Sequence, residues 1–289
     1  MKTIVSLLFI SLLFLSCTTS PTPLIGERAK LKLVADGFEF TEGPATNVDG
    51  DVFFTDQPND RIIKWSATDN TVVDYMKPSG RSNGLYFDQQ GNLISCADEK
   101  NELWKIDKDK NVTVLVSNFN GKKLGGPNDL WIHPNGDIYF TDPYYERPWW
   151  NHGEEQISQR RVYLLSSKDQ KVQIAAEDFI MPNGIIGTPD GKKIYIADIK
   201  GKKTYVFDIS TEGALTHRKL FCNLGSDGMT IDERGNLYLT GDGVTVFNPK
   251  GEQIEHIAVP KNWTANVTFG GRQIYIVFLV ISKLERQLF

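Results

Sequence analysis

Cysteine is scarce in this sequence, which has three cysteines and four histidines among 289 residues. A chain of this length with so few cysteines is not a small fold held together by disulfides. No long run of lysine or arginine occurs, and the formal net charge is -4 with both signs interspersed, which argues against a nucleic-acid partner. No apolar run approaches the roughly 20 residues that a membrane-spanning helix needs. What remains is a globular chain of ordinary composition.

The first residues have the pattern of a secretory signal. Lys2 precedes the short apolar run Ile4–Leu15, and a positive start before such a run is typical of a signal peptide. The segment Leu13–Cys17 resembles a bacterial lipobox, in which cleavage precedes a cysteine that becomes lipid-modified. An ordinary signal peptide followed by a chance cysteine is the alternative.

This pattern divides the chain into three parts. We expect a lipoprotein signal peptide over residues 1–16, a Thr- and Pro-containing tether over 17–29 and the folded domain over 30–289. Lipidation at Cys17 would hold the protein in a bacterial cell envelope, on the periplasmic or the surface side. The lipid would then be its only contact with a membrane.

A repeat built on a glycine turn and a following β-rich run organises the rest of the sequence. Successive turn glycines are 41, 45, 55, 44 and 36 residues apart, which suits a propeller blade of four strands. The glycines are Gly50, Gly91, Gly136, Gly191, Gly235 and Gly271. Each of the first five runs ends in an aspartate that we interpret as a turn residue, and these are Asp56, Asp98, Asp142, Asp198 and Asp242.

An additional strand is predicted before the first repeat. Lys30–Phe38 reads KLKLVADGF and is similar to the fourth-strand segments at 111–119 and 171–179. Such an orphan strand would complete the last blade and leave no exposed edge. The sequence therefore predicts an all-β fold, a six-bladed β-propeller with four-stranded blades, in which the N-terminal strand closes the last blade.

A carboxylate or amide residue stands eight positions before each of the first five turn glycines. First strands line the channel of a propeller, so these side chains should form a ring at one depth, with Asn266 as the nearest sixth equivalent. A ring of oxygen donors fits a hard cation, and the lack of Cys or His in it argues against zinc or copper. The five positions are Glu42, Asn83, Asn128, Asn183 and Asp227.

The ring pattern has a plainer explanation, because Asn-Gly and Asp-Gly pairs are common in turns. A turn at the beginning of each blade would place such pairs there without any metal. That explanation accounts poorly for Glu42 and for the pair Asn128-Asp129.

Five motifs, taken in order, resemble the senescence marker protein/regucalcin/gluconolactonase family over roughly Leu31–Tyr275. They are TEGP at 41–44, GKKL through GPND at 121–129, YFTDP at 139–143, PNG at 182–184 and SDGM at 226–229. The resemblance implies a six-bladed propeller that binds one divalent ion, Ca²⁺ before Mg²⁺, Mn²⁺ or Zn²⁺. It places the ligands on Glu42, Asn128, Asn183 and Asp227.

Two features depart from that family. Ala45-Thr46 replaces an aromatic residue expected soon after the first motif. The tail Val277–Phe289 does not look like the closing strands of the family. The last blade could therefore be incomplete or unusual.

The longest interval, of 55 residues, contains an extra segment, Tyr144–Arg161, between the second and third strands of the third blade. Strand direction places this loop on the side of the predicted metal. Its aromatic faces suit a sugar-like ring, although they could instead pack on the propeller rim. The predicted substrate-binding residues are Asn83, Asp129, Tyr144, Trp149, Trp150 and His152.

The predicted function is a metal-dependent hydrolase that opens a lactone ring, most simply a sugar lactone such as gluconolactone. The catalytic candidate is Asp227, because an asparagine cannot usefully accept a proton and Glu42 is expected only to position. We expect a small-molecule lactone as the partner and a monomer. The alternatives are a phosphotriesterase-like esterase and a non-catalytic cell-surface propeller that keeps calcium for structure.

Overall fold

The computed structural model describes residues 24–26, 29–151, 153–260, 263–271 and 275–280. Two units are distinguished along the chain, Met1–Lys32 and Leu33–Phe289. The first has a turn in which the amide of Ala29 donates to the carbonyl of Gly26 at 2.8 Å. The second contains all the strands of the described residues.

In the described part of the chain, no helix is both long and apolar enough to cross a membrane.

Five antiparallel sheets of four strands each form the blades. First strands of successive blades contact one another around the centre. A short 3-10 helix, Gln57–Asn59, follows the second strand of the first blade. The strands are β1 (Thr41–Thr46), β2 (Val52–Asp56), β3 (Arg61–Trp65), β4 (Val72–Met76), β5 (Ser82–Phe87), β6 (Leu93–Ala97), β7 (Glu102–Ile106), β8 (Val112–Val116), β9 (Leu130–Ile132), β10 (Ile138–Asp142), β11 (Arg161–Leu165), β12 (Val172–Ala176), β13 (Pro182–Gly187), β14 (Lys193–Asp198), β15 (Lys203–Ile209), β16 (Leu215–Cys222), β17 (Met229–Ile231), β18 (Leu237–Gly241), β19 (Gly243–Phe247) and β20 (Gln253–Ile257).

Burial follows the position of a strand within its blade. The second strands β2, β6, β10 and β18 are buried along their whole length, because neighbouring sheets cover both of their faces. The fourth strands are half exposed, and Val73 and Val114 are among their exposed apolar residues. The β-branched and aromatic residues of the inner strands form the core between the blades.

The prediction of six four-stranded blades is wrong, because the protein forms a five-bladed propeller. The strands β21 (Thr264–Gly270) and β22 (Tyr275–Val280) pair as a separate two-stranded sheet. This sheet lies between the fifth blade and the first. The Thr46 hydroxyl donates to the carbonyl of Phe269 at 2.6 Å, and the Thr240 hydroxyl donates to the carbonyl of Ala265 at 2.8 Å.

The prediction that an N-terminal strand closes the last blade is also wrong. No strand forms over residues 30–38, and no described strand pairs with them. Leu31, Leu33 and Val34 are more than half exposed, so this stretch gains none of the cross-strand packing that stabilises a sheet edge. Phe38 instead packs edge-to-face on Phe54 of the first blade, with ring centroids 5.3 Å apart.

Three of the five repeated aspartates hold the segment that leads into their own blade. Asp56 accepts hydrogen bonds from the amides of residues 39 and 40. Asp142 accepts from the amide of residue 125, and Asp198 accepts from those of residues 180 and 181. The structural interpretation fits these three. Asp98 differs because its carboxylate faces Arg147 of the third blade rather than the segment that leads into its own blade, and Asp242 is exposed.

Candidate metal and substrate site

The ring residues lie where the first strands begin, at breaks in regular pairing. Register irregularities fall between Glu42 and Ala45, between Ser82 and Leu85, and between Pro182 and Ile185. An irregularity of this kind re-aims a side chain that regular pleating would direct into the sheet. In the third and fifth blades the strand starts only after the ring residue. All five predicted ring residues are buried.

Most ring residues are followed by a glycine. The next blade approaches so closely at these positions that a side chain would not fit. A Cβ atom at these positions would collide with the next ring residue or its neighbour. The pairs are Gly43 with Asn83, Gly84 with Asn128 and Asp129, Gly184 with Asp227, and Gly228 with Asn266. The repeated Asn-Gly and Asp-Gly pairs therefore reflect packing around the channel as well as turn formation.

Asp129 stands where the other blades have this glycine. Its carboxylate accepts a hydrogen bond from its neighbour's amide, that of Leu130, at 2.9 Å, and another from the amide of Ile185 in the next blade. The side chain is buried and lines a cavity of about 40 Å³ among the first strands. A carboxylate at a position suited to glycine is a strong candidate for a chemical role.

Hydrogen bonds occupy both carboxylate oxygens of Asp227. The Asn183 amide Nδ2 donates to Oδ1 at 2.8 Å, and the Trp263 indole Nε1 donates to Oδ2 at 2.7 Å. The same Asn183 amide also donates to the hydroxyl of Tyr145 at 2.9 Å. Asp227 is therefore held in one orientation by residues of two segments, and one of these residues, Asn183, is bonded in turn to a third segment.

Glu42 is linked to the opposite end of the sequence. Its Oε2 accepts a hydrogen bond from the amide of Gly43 at 2.9 Å and another from Nδ2 of Asn266 at 3.0 Å. Asn266 is thus a member of the ring, as its sequence position suggested.

The buried carboxylates of the ring repel one another. Burial, together with the charges of Asp227 and Asp129, raises the pKa of Glu42 well above its ordinary value. Burial raises the pKa of Asp129 to about 7 despite its two backbone hydrogen bonds, and Asp227 adds to the rise. Burial raises the pKa of Asp227 to about 6, opposed by Trp263, Asn183 and the charge of Arg147. A cation bound among these carboxylates would reduce their mutual repulsion and lower their pKa values.

The donor set fits a hard cation. All the ring side chains offer oxygen, and the buried Oδ1 atom of Asn83 has no hydrogen-bond partner among the described residues. No three His, Cys, Asp or Glu side chains in the described ranges lie close enough together to hold a metal. Amide residues separate Glu42 from Asp227 around the ring, so a bound ion would need amide oxygens as well as carboxylates.

The insertion lies between β10 and β11, where the sequence predicted it, and contacts more than one blade. The indole Nε1 of Trp150 donates to the carbonyl of Asp98 in the second blade at 2.7 Å. Trp149 packs under the guanidinium of Arg81, 4.7 Å from its ring centroid. Tyr144 packs against Trp150 and the guanidinium of Arg160. Of these aromatic residues, Trp149 and Trp150 fasten the insertion to the second blade. The predicted residue His152 lies outside the described residues.

Two other residues of the insertion lie closer to the ring than the insertion residues that the sequence predicted to bind substrate. The hydroxyl of Tyr145, rather than that of Tyr144, bonds to Asn183. Arg147 is buried, and its charge acts on Asp227. The sequence could have pointed to Arg147, because it is the one cationic residue in the aromatic run YYERPWW. Trp263 was also missed, because the irregular last interval hides its relation to Asp227.

A second cavity in the described part of the chain lies away from the ring. Its volume is about 410 Å³, and residues 158–160 and 177–180 line it. None of the ring residues lines this space. This cavity is therefore separate from the candidate metal site.

Comparisons with known proteins agree with this arrangement. The chain is 28% identical over 281 residues to the gluconolactonase of Zymomonas mobilis, and the match covers 85% of this chain and 78% of that protein. A gluconolactonase structure from Xanthomonas campestris superposes with a TM-score of 0.79 at 27% identity, covering 86% and 85% of the two chains. The regucalcin of Agrobacterium tumefaciens, a calcium-binding protein, shares the fold at 19% identity with a TM-score of 0.66, covering 81% and 79%.

The family model of the SMP-30/Gluconolactonase/LRE-like region matches residues 40–282. The matched region includes every predicted ring residue and the whole insertion. The chain therefore belongs to the SMP-30/gluconolactonase/LRE-like family, as its motifs predicted.

Proposed function

We propose that the protein is a lactonase that uses one divalent metal ion, Ca²⁺ first, to open a sugar lactone such as gluconolactone. Membership of the family and similarity to two gluconolactonases support hydrolysis of a lactone. The observation that carries the proposal is the buried ring of oxygen donors, in which Asp227 is held by donors on both of its oxygens.

The metal would be held by Glu42, Asn128, Asn183 and Asp227. When bound, it would draw electron density from a lactone carbonyl and orient a water molecule beside it. The similarity to a calcium-binding regucalcin supports Ca²⁺ as the ion. The oxygen-only donor set supports the same choice.

Asp227 would act as the general base. Each of its oxygens keeps one lone pair beyond those used by Asn183 and Trp263. A carboxylate, unlike the asparagine amides of the ring, can take up a proton in the course of the reaction. The base takes a proton as water attacks the carbonyl carbon, and the ring oxygen receives a proton as its bond to that carbon breaks.

Proton release from glucono-1,5-lactone tests the proposal. The purified protein should release acid well above the spontaneous rate with Ca²⁺, and should lose that excess when a chelator is added. Neutral phosphotriesters and simple aryl esters should be hydrolysed more slowly. Retained activity in the chelator would contradict the role of the metal. No activity on any lactone would favour the non-catalytic binding propeller.

We propose in addition that a lipid on Cys17 anchors the protein in a bacterial cell envelope. The support is the lipobox-like run in the sequence, since Cys17 lies outside the described residues. The tether would leave the propeller free to meet diffusible lactones.

A further inference from the structure

Arg147 is a buried cation. Its side chain is 3% exposed, and its Nε lies 3.3 Å from Oδ2 of Asp98, whose side chain is 4% exposed. The guanidinium also packs over two aromatic rings, with its Cζ 5.3 Å from the centroid of Tyr145 and 5.7 Å from that of Trp149. Burial of a charged group on this scale requires a reason.

Asp98 occupies only one edge of the guanidinium. An arginine presents five N–H donors in a planar fork that matches a carboxylate in a bidentate manner. Among the described residues, no acceptor takes a hydrogen bond from either Nη nitrogen, and Nε makes only the long contact with Asp98. The buried donor that lacks a well-formed hydrogen bond is Nε. The two Nη nitrogens stay available, so this edge suits a ligand that supplies acceptors.

The guanidinium lies beside the reactive part of the site. It packs on Tyr145, whose hydroxyl accepts a hydrogen bond from Asn183. The same Asn183 amide donates to Asp227. Burial raises the pKa of Asp227 and of Tyr145, and the charge of Arg147 opposes both rises. A ligand held between Arg147 and Asp227 would therefore lie against the ring.

We propose that Arg147 binds a carboxylate group of the ligand through its free Nη edge. This inference rests on the proposed lactonase function and adds a recognition element to it. The carboxylate has two chemical sources. Hydrolysis of any lactone makes one, because water adds to the carbonyl carbon, the ring C–O bond breaks, the ring oxygen takes up a proton and the new acid group loses one. The other source is a carboxylate already present on the substrate.

A purely structural role for Arg147 would give a different outcome on substitution. If the side chain only pairs with Asp98 and packs on aromatic rings, its replacement would lower stability without changing the affinity for carboxylates. Measurement of ligand binding separates the two roles. Binding of a non-reacting product also needs no turnover, so the inference can fail or succeed independently of the proposed reaction.

The experiment is calorimetric titration of the full-length, Ca²⁺-loaded protein with gluconate and with glucitol, which lacks the carboxylate. Arg147→Gln should weaken gluconate binding about tenfold or more, as expected for loss of a bidentate charged contact. It should leave glucitol binding unchanged. Arg147→Lys should retain part of the affinity as a point charge. Arg160→Gln, in the same insertion, removes a guanidinium that pairs with Glu155 and should change neither affinity.

Steady-state kinetics then distinguish the two sources. If the carboxylate comes from ring opening, Arg147→Gln will weaken inhibition by gluconate and leave the KM ratio of a carboxylated lactone, glucaro-1,4-lactone, to glucono-1,5-lactone unchanged. If it belongs to the substrate, KM will rise selectively for the carboxylated lactone. Equal affinity of the wild type, Arg147→Gln and Arg147→Lys for gluconate, with no selective change in KM, would overturn the proposal. Should the glutamine variant fail to fold, the lysine variant and the wild-type preference for gluconate over glucitol decide the matter.

Discussion

Asp227 combines two demands in one side chain, since it would contribute charge to a metal and take up a proton. Asp227→Asn keeps the size and one oxygen while removing the charge and the basicity. Metal affinity should fall moderately. Turnover at saturating Ca²⁺ should fall by about 10²–10⁴, the usual contribution of a general base. Measurement of kcat across a Ca²⁺ titration separates the two effects.

Asn83→Ala provides the control for that substitution, because it removes an uncharged ring residue. It should reduce neither metal affinity nor turnover to the same degree. Near-normal kcat for Asp227→Asn at saturating Ca²⁺ would mean that Asp227 is only a ligand. Asp129, which is buried beside the ring with a raised pKa, would then be the next base to test.

The buried carboxyl group of Asp142 should make the stability of the protein depend on pH. Burial raises its pKa to about 7, although the amides of Gly125 and Gly126 and the charge of Arg160 oppose the rise. An unfolded aspartate titrates near a pKa of about 3.9, so between these values the folded state holds a proton that the unfolded state has lost. This stabilisation is complete below about pH 4 and is lost as the pH rises through about 7.

The matching experiment is chemical denaturation of the wild type and Asp142→Asn between pH 4.5 and 8. The free energy of unfolding of the wild type should fall relative to that of the variant as the pH rises. A pKa unit corresponds to about 1.4 kcal/mol, so the relative change should be on the order of a few kcal/mol. At pH 4.5 the two proteins should differ least. A difference that stays constant with pH would contradict the assignment.

Spacing in the sequence was enough to find the ring but not its partners. Glu42, Asn183 and Asp227 were identified because each occupies an equivalent place in a repeat. Tyr145, Arg147 and Trp263 occupy no repeated position, and their contacts join segments far apart in the chain. Such contacts depend on how the blades are arranged, which local pattern does not encode.

The insertion between β10 and β11 is the element that distinguishes the third blade. Trp150→Phe removes the indole donor that bonds to the carbonyl of Asp98 and keeps most of the apolar ring. We expect KM for the lactone to rise several-fold, because the insertion would hold its substrate-facing residues less firmly. Metal affinity should remain nearly unchanged, since the insertion supplies no ring residue.

Trp104→Phe is the matched control for this substitution. It removes an indole hydrogen bond of the same length, 2.7 Å, to Glu102 on β7, away from the ring. KM should therefore stay at the wild-type value. A large loss of metal affinity in Trp150→Phe would contradict the view that the insertion covers the site without binding the metal.

Local pattern was a good guide to single strands. The glycine turns and β-rich runs predicted the second strands, and the fourth-strand segments at 111–119 and 171–179 contain strands β8 and β12. The failure came at Lys30–Ala35, whose alternation resembles a fourth strand. A strand also needs a partner edge to pair with, and the presence of that edge cannot be read from the segment itself.

The anchor is a property of the whole molecule, because it decides where the propeller acts. Cys17→Ser should abolish lipid labelling and release the protein from the membrane fraction. Metabolic labelling with a fatty-acid analogue, followed by fractionation, measures both outcomes. Ser16→Ala changes the preceding residue and serves as a control that should keep the label. Labelling that persists in the serine variant would rule out the lipobox.

The number of blades was the global property that the sequence did not determine. Six turn glycines occur, yet within the residues that the structure describes the sixth repeat forms a sheet of two strands. Its interval of 36 residues is the shortest in the series. A blade count depends on whether every repeat obtains all four strands, so the count of repeats overestimated it.

The hydrogen bond between Asn266 and Glu42 joins residues 224 positions apart. Loop closure over such a distance is entropically costly, and contacts of this kind form late in folding. During synthesis, Asn266 must therefore leave the ribosome before the ring can be completed. A nascent or prematurely terminated chain would have blades but no finished ring. Glu42 would then lack the amide donor that orients its carboxylate, and an ion bound by such a chain would be held less firmly.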